Sequence, residues 1–211
     1  VVLARELNLS QIKEKRLLQI LFDNLKVIER QENNSFNEQT ILISLSKLMN
    51  SKVIYESIIT YKQQVVELII EKCILDEKST NSLRFYASSF LSQLIENDSA
   101  FSEKIIQSIF SQEIVQKFVS FLKHHYRDEQ TLLIVYNLLA IIQRFLGDGT
   151  SSLSEFTSNQ LQQNDFRFIL YSLVLNNSIP VSLRATQLLI LLLKTSSKEQ
   201  YSILQKEILF F

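Results

Sequence analysis

Residues 132–146 read Leu132-Leu133-Ile134-Val135-Tyr136-Asn137-Leu138-Leu139-Ala140-Ile141-Ile142-Gln143-Arg144-Phe145-Leu146, and Gly147 follows. Val135, Leu139 and Ile142 are spaced by four and then three. That spacing gathers side chains on one face of an α-helix, whereas a strand would divide them between its two faces. The same triplet recurs as Ile41, Leu45 and Leu48, as Ala87, Leu91 and Leu94, and as Ala185, Leu189 and Leu192. The middle leucines are 46, 48 and 50 residues apart. A period of this size belongs to a supersecondary unit that cannot hide its apolar face alone and must stack on its neighbours.

Composition agrees. Two glycines and one proline in 211 residues are too few for the turns of a sheet-rich fold. Helices are expected from Asn8, capped with Gln11, to about Arg30; from Ser35, boxed with Glu38, to Met49; and from Ser51 to Ile74. Others are expected over Thr80–Ile95, Ser99–Phe110, Ser111–His125 and Asp128–Leu146, the last closed by Gly147. Ser152 with Glu155 opens a short helix and Asn164 another. Pro180 starts a strongly apolar one running to Lys194, and Ser196 with Glu199 caps the last. The chain reads as one helical segment, 1–211, with a loop insertion near 147–153. Two short identities run along the repeat: Glu38-Gln39-Thr40 with Glu129-Gln130-Thr131, and Ser82-Leu83-Arg84 with Ser182-Leu183-Arg184.

Over roughly residues 35 to 205, Ala87-x-x-x-Leu91-x-x-Leu94, and Pro180 followed by Ala185-x-x-x-Leu189-x-x-Leu192, resemble the packed core of armadillo and HEAT repeats. The resemblance implies an all-α, right-handed α-α superhelix of about four to five helical repeats. It further implies a non-enzymatic scaffold or adaptor that binds a peptide or a folded protein and needs no cofactor. A permanent structural subunit of a large assembly, cytoskeleton-associated ones included, is the alternative. A leucine-rich bundle without repeats would also produce Leu-x-x-Leu.

Motifs of catalysis or metal binding do not emerge. His124 and His125 are the only histidines, and adjacent side chains on a helix diverge by about 100°, so the two cannot share a metal. Two glycines, Gly147 and Gly149, cannot build a phosphate loop, and neither histidine has a nucleophile context. Cys73, the single cysteine, falls in an apolar helical stretch and reads as core. Lysine plus arginine equals aspartate plus glutamate at 22 each, so no overall field attracts nucleic acid. The longest apolar runs are far shorter than the roughly 20 residues of a membrane span.

Candidate partner-binding residues are Lys117, Lys123 and Arg127, from a basic cluster that also holds His124 and His125, and Asn137. Asn137 invites comparison with the asparagines that grip extended peptides in nuclear-import adaptors, although those pair with tryptophans and this chain has none. Val1 begins no recognisable signal peptide, so an intracellular, cytoplasmic protein is expected. The apolar close Ile208-Leu209-Phe210-Phe211 leads to the expectation that further chain or another subunit covers this end.

Overall fold

This computed structural model describes residues 69–96, 111–147 and 152–210, with isolated positions 20, 40, 42, 43 and 66 earlier in the chain. The helices expected over 8–30, 35–49 and 99–110, and most of the one over 51–74, lie outside the described residues. Among the described residues the fold is all-α, with no strand. The chain divides into two compact units, Val1–Leu94 and Ile95–Phe211.

In the first unit the stretch Ile69–Ile74 is π-helical, not the end of an α-helix as its periodicity suggested. The Leu75 N–H reaches back five residues to the Ile70 carbonyl at 3.0 Å, the signature of the wider turn. Ile69, Ile70, Cys73 and Ile74 are buried, while Glu71 and Lys72 are exposed. The carbonyls this turn leaves open are taken by side chains. Ser79 donates to Lys72 O at 2.9 Å, and Arg84 donates to Ile74 O at 3.1 Å and to Asp76 O at 2.8 Å. Helix α1, Asn81–Glu96, follows. Thr80 Oγ1 accepts the Leu83 N–H at 3.2 Å and so caps its start.

The second unit holds α2 (Gln112–His125), α3 (Leu132–Leu146), α4 (Ser152–Leu161), α5 (Asn164–Val174), α6 (Ile179–Thr195) and α7 (Lys198–Phe210). Ser111 caps α2, its hydroxyl accepting from Ile114 N at 3.3 Å. The helix expected from Asp128 begins instead as a 3₁₀ turn, Glu129–Thr131, capped by Asp128. Pro180 sits in the first turn of α6 as expected. The box at the head of α7 lies one residue further on than the Ser196–Glu199 pair suggested. Ser197 N donates to Gln200 Oε1 at 3.1 Å, and Gln200 N to Ser197 Oγ at 3.3 Å.

Within this unit α2 packs on α3 and α5 on α6; across these pairs α3 packs on α6 and α2 on α5, with α4 touching all four. The packing follows the sequence register. Counting from the leucine triplets, Leu83, Thr131 and Val181 are equivalent, as are Ala87, Val135 and Ala185, then Phe90, Leu138 and Leu188. Leu91, Leu139 and Leu189, and Leu94, Ile142 and Leu192, complete the set, and every one of these residues is buried. Each large side chain in this set contributes about 1.5 to 3 kcal/mol by leaving water.

A chain this poor in glycine needs another way to end helices, because the last carbonyls of each helix have no partner within it. Hydroxyls supply it. Thr131 donates to His125 O and Asp128 O, both at 2.9 Å; Ser154 donates to Leu146 O; Ser182 donates to Val174 O at 2.5 Å; and Ser196 donates to Leu192 O at 2.6 Å. Thr131 precedes α3, and Ser154 and Ser182 lie in the first turns of α4 and α6, so in these three cases the bond ties the end of one helix to the start of the next. Gly147 closes α3 at φ 49°, ψ −129°. The positive φ fits a helix end, but ψ takes the backbone out of the left-handed helical well into a region open essentially to glycine alone.

Candidate functional site

Two polar clusters interrupt the apolar packing of the second unit. The first lies between α3 and α6. The Arg184 guanidinium sits 4.9 Å from the centre of the Tyr136 ring. Its Nη2 donates to Tyr136 Oη at 2.9 Å and its Nη1 to Gln143 Oε1 at 3.3 Å. Stacked on the ring and hydrogen-bonded to two side chains of α3, the guanidinium ties α6 to α3.

Beside the seam the two helices turn apolar and basic groups outward. Leu133 is exposed on α3, and Ile179, Leu183 and Ile190 on α6, the α6 residues spaced four and seven apart and therefore on one face. Arg144 and Lys194, equivalent in the register, are both exposed at the ends of their helices, where cations suit the helix dipole. Neither α3 nor α6 contains an acidic residue.

The second cluster joins α7 to α5. Arg167 Nη2 and Glu207 Oε1 form an ion pair at 2.8 Å, and Tyr171 donates to Glu207 Oε2 at 3.0 Å. Arg167 Nη1 also donates to the Gln162 carbonyl at 2.6 Å. Burial pushes the Tyr171 phenol well above its ordinary pKa; the hydrogen bond to Glu207 and that carboxylate's charge add to this, while Arg167 opposes it. Tyr171 is thus a neutral donor throughout the physiological range.

The residues singled out from sequence are spread over three elements. Lys117 pairs with Glu113 one turn earlier on α2 at 2.9 Å. Lys123, half-buried, lies six residues further along α2, about 240° around the axis. Arg127 stands in the turn before α3 with its guanidinium 5.1 Å from the Tyr126 ring centre. Asn137 is 7% exposed on α3, leaving little surface to offer a ligand. His124 Nδ1 lies 2.7 Å from the Ser120 carbonyl, to which it donates, and the His125 ring leans on Phe121 at 4.3 Å. Among the described residues no three His, Cys, Asp or Glu side chains converge to hold a metal ion.

Sequence reasoning missed both clusters. Arg167 and Tyr171 are four apart on α5 and Tyr136 and Gln143 seven apart on α3, so each pair is visibly co-facial. Their partners, Glu207 and Arg184, are about 40 residues distant and come into reach only through the packing. Comparison of the chain with protein-family models, with curated proteins and with solved structures gives no match.

Proposed function

We propose that this chain is a non-enzymatic protein-binding scaffold of the armadillo/HEAT kind, its helical pairs stacked as a solenoid. The observation that carries the reading is that α3 packs on α6 with equivalent positions of the two helices buried, while α2 pairs with α3 and α5 with α6. Side-by-side stacking leaves one flank of each pair free, and here that flank presents Leu133, Leu183 and Ile190 with Arg144 and Lys194. Aliphatic groups rimmed by charge are what a protein surface uses to bury another polypeptide. Balanced charge favours a protein partner over nucleic acid, and the buried lone thiol of Cys73 suits a reducing, cytoplasmic setting. No described helix is long and apolar enough to cross a membrane.

A second reading, a built-in subunit of a larger assembly, is favoured by the apolar groups turned outward elsewhere: Phe168 and Leu175 on and just after α5, and Tyr201, Ile203 and Ile208 on α7. Affinity capture with wild type and with the Leu183→Asp/Ile190→Asp double variant tests the first. The variant is expected to keep the wild-type melting temperature and to lose the captured proteins; retention of all of them would remove the α3–α6 flank as the binding surface. Light scattering separates the two readings, because a free scaffold is a clean monomer and a subunit aggregates unless its neighbours are co-expressed.

A further inference from the structure

Helix α7 is held differently from the others. Of its described side chains only Leu204 is buried, with Gln200 and Glu207 half-buried and the rest exposed. A lone helix of this length is marginal in water, so the groups that dock it decide whether it stays in place. Leu204 and Glu207 are three apart and share a face. Both Glu207 oxygens are engaged, one by Arg167 and one by Tyr171. The Gln162 carbonyl holds Arg167 from the other side, so the two donors belong to the α4–α5 framework whether or not α7 is present. At the other end Gln162 Nε2 donates to Ser196 Oγ at 3.2 Å, and Ser196 to Leu192 O at 2.6 Å. These bonds pin the chain up to Ser196 and leave Ser197 as the first position about which α7 can swing.

We infer that Arg167 and Tyr171 form a carboxylate-binding fork on α5 and that α7 is its releasable occupant, a strap that lifts near Ser197 and can yield the site to another amphipathic helix carrying leucine and glutamate three residues apart. Arg167 is only 14% exposed, and a cation so enclosed strongly selects a fully charged, well-placed partner. A glutamine or a shifted acid does not satisfy both donors. Among the described side chains of α7 only Leu204 is buried, as in the elements of low local stability from which straps and lids are drawn. This inference is independent of the scaffold reading, since it concerns α5 and α7 and not the α3–α6 flank.

Hydrogen exchange followed by mass spectrometry on the full chain tests it. Glu207→Gln keeps size and leaves Leu204 in place. It is expected to speed amide exchange over residues 198–210 at least tenfold while α3 and α6 exchange as in wild type. Tyr171→Phe, which loses one donor, gives a smaller acceleration over the same residues. A labelled peptide of residues 196–211, titrated to millimolar concentration, is expected to bind the Glu207→Gln chain and not the wild type. The same peptide with Glu207 changed to glutamine binds neither. Unchanged exchange over 198–210 in Glu207→Gln, exchange that spreads into α3 and α6, or failure of the acidic peptide to bind the opened chain would each overturn the inference.

Discussion

Ser82-Leu83-Arg84 at the start of α1 and Ser182-Leu183-Arg184 in α6 are the same three letters doing opposite jobs. Leu83 is 2% exposed and Leu183 is 58% exposed. The cause is arithmetic. The identity spans 100 residues, while the leucine triplets that fix the core, Leu91 and Leu189 among them, are 98 apart. Two residues turn a helix by about 200°, which carries a side chain from the buried face to the wet one. The true counterpart of Leu83 is Val181, and it is buried. The other identity fails likewise: Thr40 is exposed, whereas Thr131 is buried and ties off two carbonyls. Here the helical phase of the apolar positions decides which residues are buried, and a run of identical letters does not.

The largest effect that separates the two tripeptides is at their leucines. Leu83→Ala is expected to cost about 2 to 5 kcal/mol, because it removes buried methyls and leaves a cavity. Leu183→Ala should stay within about 0.5 kcal/mol, as a solvent-facing change does. Denaturant unfolding of the two variants beside wild type measures both, and equal losses would mean that the 98-residue register is not the one that buries the core.

The arginines should differ next, and by less. Arg84 donates to Ile74 O and Asp76 O at the end of the π-helical turn; Asp76 O keeps the Ser79 N–H, so Arg84→Ala strands Ile74 O at about 1 to 3 kcal/mol. Arg184 contacts side chains that can turn to water when it is gone, so Arg184→Ala is expected to cost about 1 kcal/mol. The sharper discriminator is where the damage lies. Hydrogen exchange should loosen residues 69–79 in the first variant and only the facing turns of α3 and α6 in the second.

Much of the fold was legible. The all-α class, the starts at Thr80, Ser111, Asn164 and Pro180, and the buried triplets follow from periodicity and capping chemistry, which are local. What stayed hidden depends on atoms brought from afar or on choices between near-equal local options. Ser197 displaces Ser196 as the cap of α7 because the Ser196 hydroxyl is already committed to Leu192 O, a fact no spacing rule contains. The π turn at Ile69–Ile74 buries the same kind of apolar face that an α-helix buries, and the capping by Ser79 and Arg84 becomes visible only once the chain has turned back. The candidate site was the least legible part. Lys117, Lys123, Arg127 and Asn137 were chosen for their chemistry, whereas the groups that stand out on the surface, Leu133, Leu183 and Ile190, look in sequence like more core.

The smallest effect tests why Arg184 is where it is. Its position two residues out of phase with Arg84 sends it sideways to α3, where it finds both a ring and a hydroxyl. Tyr136→Phe keeps the ring and deletes the hydroxyl, so it isolates the hydrogen bond from the cation–ring contact. Half-buried and able to keep Gln143, the guanidinium should lose only about 0.5 to 1 kcal/mol. In a double-mutant cycle with Arg184→Ala most of the coupling should survive in the phenylalanine background, because the ring remains. If the coupling vanishes with the hydroxyl, the hydrogen bond and not the stacking joins the two helices, and the seam is held by one directional contact that a single rotamer change could undo.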